Sequence, residues 1–107
     1  MSGAKNHNLI DETIHQRTRL AIMSMLSGVS RLEFNEIKAE LNLTDGNCST
    51  HLASLERAGY VKIVKSFRKK KPMTRVSITS AGKKAMSSYI QLLKSILDNA
   101  GPGPKGE

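Results

Sequence analysis

At 107 residues the chain has the length of one domain, and its single cysteine, Cys48, excludes a disulfide framework or a multi-cysteine metal site. Trp is absent and aromatics make up 4%, which argues against an aromatic ligand cage or a base-stacking platform. Lys and Arg number 17 against 9 acids, a net charge of +8, so a polyanionic partner is the first expectation.

That charge is unevenly distributed. Ahead of Arg57 there are seven acids and five bases; from Arg57 to Leu97 there are eleven bases and no acid. Alternating signs would serve solubility better, so the block points to a positive field on one face. No apolar run approaches the roughly 18 residues of a membrane span, and Met1–Leu9 is too polar for a secretory signal. A cytoplasmic protein without membrane attachment is expected.

The first helix is expected over 13–27, with Thr13 and Gln16 spaced as a capping box. Ile14, Ala21, Ile22, Met25 and Leu26 recur at helical intervals, and Gly28 supplies a stop. Leu32 and Phe34 suggest a very short extended stretch. Asn35 is placed to cap a second helix carrying Phe34, Ile37 and Leu41. After the tight Asn42-Leu43 link, Thr44 caps a third helix with Asp45 in its first turn, Cys48, Leu52 and Leu55 on its apolar side, and Gly59 at its end.

Alternation then returns. Tyr60 to Phe67 places Val61 and Ile63 opposite Lys62, and Thr74 to Ile78 places Val76 and Ile78 opposite Arg75 and Ser77. The intervening Arg68-Lys69-Lys70-Lys71-Pro72 is too polar for a core, so an antiparallel hairpin with a cationic tip is predicted. Thr79 caps a last, long helix from Ser80 to about Asp98. Residues 1–8 and 99–107 are expected to be flexible, the latter because of its Gly-Pro repeats.

The predicted class is therefore mainly α with a small antiparallel hairpin (α+β). The run from Leu41 to Val61, above all Leu43-Thr-Asp-Gly-Asn-x-Ser-x-His-Leu52, with the later Thr79-x-Ala-Gly82, resembles the winged helix-turn-helix regulators of the MarR and ArsR types. The domain is expected over 9–98; the resemblance covers about 9–97 of it and implies a sequence-specific regulator of double-stranded DNA, most commonly a repressor. It also implies a wing lying along the phosphate backbone or in the minor groove.

The residues support the resemblance independently. With Cys48 at zero and 100° per residue, Leu52 and Leu55 fall on the inner side of the third helix. Gly46, Thr50, Ala53 and Arg57 point outward, flanked by Asn47, Ser49 and Ser54. Such a face is small, polar and poor in acids, suited to a major groove. Candidate DNA contacts are thus Thr44, Gly46, Asn47, Ser49, Thr50, Ser54 and Arg57 on this helix. Arg68, Lys69, Lys70, Lys71 and Arg75 are the candidates on the wing. The last helix carries more apolar surface than one side can bury, so Met86, Tyr89, Ile90, Leu93, Ile96 and Leu97, with Ile14, are expected at a homodimer interface.

The same residues fit other readings. A winged helix that docks an acidic protein would use the same hairpin, and an effector-responsive or redox-responsive regulator would place its effector at the dimer cleft or use Cys48. Cys48 and His51 make at most half a metal site, His7 and His15 belong to no cluster, and Gly82-Lys83-Lys84 lacks the glycines of a phosphate loop. No catalytic constellation is present, so neither an enzyme nor a cofactor is expected.

Overall fold

The computed structural model describes residues 9–100 of the chain. The segments expected to be flexible, 1–8 and 99–107, lie outside the described residues except for Asn99 and Ala100; Asn99 is helical, so the last helix extends one residue further than expected. The elements in order are α1 (Arg17–Ser27), β1 (Leu32–Glu33), α2 (Phe34–Leu41), α3 (Asp45–Arg57), β2 (Val61–Arg68), β3 (Lys71–Ile78) and α4 (Ser80–Asn99). The antiparallel sheet has the order β1-β3-β2, one strand more than the predicted hairpin.

Two helix starts differ from expectation, each because a stronger acceptor or a strand intervenes. Thr13 does not cap α1. The Asp11 carboxylate takes the backbone N–H groups of Thr13 (2.9 Å) and Ile14 (3.2 Å), folding 11–14 into a turn. The helix then begins at Arg17, with the Gln16 side chain accepting from Arg19 N at 2.9 Å. Asn35 does not cap α2 either. Pairing of Leu32 and Glu33 with Val76 and Arg75 holds the chain extended, and the helix starts as soon as that ladder ends. Glu36 Oε1 reaches back to Glu33 N at 2.8 Å, one arm of a capping box.

The expected helix ends are found. Gly28 closes α1. Asn42, at φ 53°, turns the chain out of α2, and Leu43 N donates to Lys38 O at 2.9 Å. Thr44 caps α3, accepting from Asn47 N at 3.0 Å. The Lys38–Asp45 ion pair (2.5 Å) spans the turn between the two helices. Exposed pairs of this kind contribute at most about 1 kcal/mol, so the pair tunes the turn and does not create it.

The core is continuous: Ile14, then Ile22, Met23 and Leu26 of α1, Ile37 of α2, Cys48, Leu52 and Leu55 of α3, Val61 and Val76 of the sheet, and Met86 and Tyr89 of α4. Met23 is buried although the predicted stripe passed over it, whereas Ala21 and Met25 of that stripe are half-buried.

Gly59 and Tyr60 form the junction on which these elements meet. Gly59 (φ 83°) adopts the left-handed conformation that ends α3; its N–H bonds Glu56 O and that of Tyr60 bonds Leu55 O, a Schellman closure. Thr79 Oγ1 donates to Gly59 O at 2.6 Å, and Thr79 N to Tyr60 O at 3.0 Å, so the start of α4 is bolted to the end of α3. The Tyr60 hydroxyl donates to Asp11 Oδ2, which ties down the approach to α1. This hydrogen bond, with burial, pushes the Tyr60 pKa up to about 12.

Gly82 lies directly beneath Tyr60: a Cβ there would sit 2.2 Å from the Tyr60 carbonyl oxygen and 2.8 Å from Ile78 Cγ1. Gly82→Ala is therefore expected to destabilise the fold by about 1–3 kcal/mol, or more if the backbone cannot yield. Gly28→Ala, with nothing within 4 Å, is expected to shift stability by less than about 0.5 kcal/mol. Urea unfolding of the two variants checks the contrast.

Candidate nucleic-acid interface

Because Cys48, Leu52 and Leu55 anchor α3 in the core, its opposite side is left to solvent. Thr44, Gly46, Asn47, Ser49, Thr50 and Arg57 are exposed, and Ser54 is half-buried with its Oγ accepting from Arg57 Nη2 at 3.3 Å. The seven residues singled out in this helix are thus all at least partly accessible, with Ser49 on the groove towards the sheet and Ser54 and Arg57 on a groove beside Thr13 and Arg19. Thr44 is partly committed, since its hydroxyl oxygen already caps the helix. Asp45 stands at the end of this surface with its charge answered by Lys38, and Glu56 lies on its flank.

The wing is longer and tighter than predicted. β2 and β3 pair without interruption from Val61–Ile78 to Arg68–Lys71, so Arg68, Lys71 and Pro72 belong to the strands, and the turn is Lys69-Lys70 alone. Both lysines have positive φ, 53° and 67°, the pattern of a type I′ turn. Asn-Gly is the usual occupant of such a turn, because other residues pay a steric penalty in the left-handed region. Two lysines there are a backbone strain that the charge must justify.

Two adjoining grooves, together the trough, lie between helix and wing. One groove runs between Ser49 and Ala53 of α3 and Lys65 and Thr74 of the sheet. The next lies between Asn35 at the start of α2 and Arg68, Lys69 and Lys71 of the wing. Phe34 and Thr74 line both, so the groove beside Ser49 and Ala53 adjoins the one beside Arg68, Lys69 and Lys71. Arg75 is half-buried beside Glu33, its partner in the β1–β3 ladder, and stands further from the tip than the other wing cations. Sequence reasoning missed Lys65 and Asn35 as trough residues. The alternation of β2 could have found Lys65; the position of Asn35 depends on where β1 ends, which the short Leu32–Phe34 alternation does not mark.

A family model described as a winged helix DNA-binding domain matches residues 18–97. The chain belongs to that family. An uncharacterized protein of Methanocaldococcus jannaschii is 43% identical over 82 residues, covering 73% of this chain and 89% of that protein. A transcriptional regulator homologue from Pyrococcus horikoshii has a structure that superposes with a TM-score of 0.83 at 31% identity, covering 94% of this chain and 98% of that one. A MarR-family transcriptional regulator from Silicibacter pomeroyi shares the fold at a TM-score of 0.62 and 16% identity, covering 96% and 68%.

Within this winged helix, the residues expected at a dimer interface separate into two groups. Ile14, Met86 and Tyr89 are 0%, 6% and 5% exposed and fill the chain's own core, which corrects their assignment: a side chain already enclosed by its own fold has little surface left for a partner. Ile90 and Leu97 are exposed, and Leu93 and Ile96 half-buried; from Ile90 onward no residue of α4 is fully buried. Their spacing places Ile90, Leu93 and Leu97 on one stripe of the helix.

The remaining reactive side chains are accounted for locally. Cys48 is fully buried, and desolvation pushes its thiol pKa up, which opposes thiolate chemistry. His51 Nδ1 lies 3.3 Å from Arg19 Nη1, and burial followed by that guanidinium lowers its pKa. His15, expected to stand alone, contacts the Tyr89 hydroxyl through Nδ1 at 2.8 Å. Among the described residues, no three His, Cys, Asp or Glu side chains are grouped so as to hold a metal ion, and no helix is long and apolar enough to cross a membrane.

If the turn lysines are strained, relieving them stabilises the fold. Lys69→Asn with Lys70→Gly is expected to raise unfolding stability by about 1 kcal/mol while removing two positive charges from the tip. Thermal and urea unfolding measure it; a less stable variant would show that the lysines fit the turn without strain.

Proposed function

We propose that the protein is a homodimeric, sequence-specific regulator of transcription that binds double-stranded DNA and represses by occupying promoter sites in the cytoplasm. The observation that carries this reading is the trough itself: a groove beside Ser49 and Ala53 of α3 adjoins, at Phe34 and Thr74, a groove lined by the wing cations Arg68, Lys69 and Lys71. Asn47, Ser49 and Thr50 are the base-reading side chains in this account, and Arg57 reaches a phosphate. Arg68, Lys69, Lys70, Lys71 and Arg75 hold the backbone or minor groove beside it. Membership in a DNA-binding domain family supports the polyanion being a duplex.

A second copy is the partner for the outer stripe of α4. Ile90 and Leu97 are 55% and 63% exposed, and apolar surface of this kind is covered when two such helices pair. Two-fold symmetry would present the α3 helices to half-sites about one duplex turn apart. No effector is assigned to the pair.

Selection of duplexes from a random pool, followed by salt titration, tests the reading. Replacing Lys69, Lys70 and Lys71 together with Ala should weaken binding to all sequences and reduce the log–log salt slope by about 2.7 per subunit, at ~0.9 per phosphate contact. Asn47→Ala or Thr50→Ala should leave that slope intact and relax preference at one base pair, by about 1–3 kcal/mol. An unselected pool, with no preferred duplex, would overturn the assignment.

Light scattering at micromolar concentration tests the assembly separately. The parent protein is expected as a dimer and the Ile90→Glu, Leu97→Glu variant as a folded monomer, since neither side chain supports the core. A parent that scatters as a monomer would remove the dimer.

A further inference from the structure

We propose that Phe67 and Pro72 form an apolar wedge at the wing tip that enters the minor groove of the duplex and kinks it, with the surrounding cations supplying the attraction. The inference rests on the reading of this chain as a duplex-binding protein and adds a deformation step to it.

Phe67 is 76% exposed, the most exposed large hydrophobic residue among those described. Side chains alternate along a strand, so Phe67 shares its face of β2 with Val61, Ile63 and Lys65. Val61 is buried, Ile63 half-buried and Lys65 exposed. That face therefore runs off the edge of the core and carries an aromatic ring into solvent at its far end. Nothing in the packing of the chain requires a phenylalanine there.

Pro72 is the direct cross-strand neighbour of Phe67. A two-residue turn makes Arg68–Lys71 the hydrogen-bonded closing pair, so Phe67–Pro72 is the following, non-bonded pair, in which side chains approach most closely. The N–H that proline lacks would have pointed away from β2. On that side β1 pairs only with Val76 and Arg75, so no ladder bond is lost. The result is a rigid apolar pair at the end of an eight-pair ladder, next to four consecutive cations, Arg68 to Lys71.

The position of this pair selects duplex DNA over other anionic surfaces. Phe67 and Pro72 lie on the sheet face that Lys65 and Thr74 contribute to the trough beside Ser49 and Ala53. A curved duplex seated against α3 meets the wedge with the same side, whereas a flat lipid surface touching Phe67 leaves the trough empty. Apolar side chains inserted from the minor groove unstack a base step and bend the duplex. Pyrimidine–purine steps yield most readily, so the sequence under the wing is chosen for deformability without any base-edge hydrogen bond.

The test uses duplexes selected by the parent protein from a random pool, labelled at both ends for energy transfer, and a matched set with the step under the wing changed from TA to AA. The parent is expected to shorten the end-to-end distance and to prefer TA. Phe67→Ala should bind about tenfold more weakly with an unchanged salt slope, no shortening and no preference between the steps. Pro72→Ala should show a partial loss of bending. Both variants should remain folded with unfolding midpoints close to the parent's, since neither side chain is in the core and only their cross-strand contact is lost.

A Phe67→Ala variant that bends the duplex and discriminates TA like the parent overturns the wedge. So does Phe67-dependent binding to phosphatidylserine vesicles with DNA binding unaffected, which would assign the tip to membranes. A parent that selects duplexes but leaves them straight removes the wedge alone. A parent that selects no duplex removes the proposed function and the wedge with it.

Discussion

The contact of Tyr60 with Gly82 is the constraint on which the arrangement depends. The Tyr60 carbonyl receives the Thr79 N–H and rests on the bare Cα of Gly82, while its hydroxyl holds Asp11. Three elements are set by this one residue: where α3 stops, where β2 sets out, and how α4 leaves the sheet. The relative placement of the α3 surface and the wing therefore has little freedom, because both are measured from the same junction. A surface that must match the fixed spacing of a duplex needs such a rigid origin.

Stability and surface chemistry pull in opposite directions over the rest of the molecule. Apolar packing ends about halfway along the hairpin, and everything beyond it contributes little to the fold: a strained Lys69-Lys70 turn, an exposed phenylalanine, and a block of like charges. Self-repulsion among those cations disfavours the compact state. A chain shaped for stability alone would carry Asn-Gly at the turn and a polar residue at Phe67. The pattern resembles α4, whose inner residues close the core while its outer stripe stays wet. In both places the excess lies at an extremity, where an unfavourable side chain does not disturb the packing behind it.

Much of the fold was legible because short-range physics decided it. The spacing of Cys48, Leu52 and Leu55 located the inner side of α3 correctly, and by complement most of its outer side, although Ala53 and Ser54 are half-buried. Thr44 and Thr79 were recognisable as caps because the hydroxyl needs only a backbone N–H three positions on. The same reasoning failed at Thr13 and Asn35. Thr13 lost to a carboxylate two residues earlier, and Asn35 lost to a two-residue strand whose partner lies some forty positions away. The alternation of Leu32 and Phe34 hinted at an extended stretch, but a pairing at that distance leaves no local mark of where the strand ends.

The sequence by itself determined the element types, the cationic hairpin, the polar side of α3 and the buried state of Cys48, since each follows from side-chain period or burial within a single element. Only the tertiary structure decided that Ile14, Met86 and Tyr89 belong to one chain's interior, that Phe34 and Thr74 line two adjoining grooves, and that Phe67 outruns the core it faces. The physical reason is the same in each case. Periodicity says which side of an element is apolar, but what covers that side, or fails to, depends on where the other elements end.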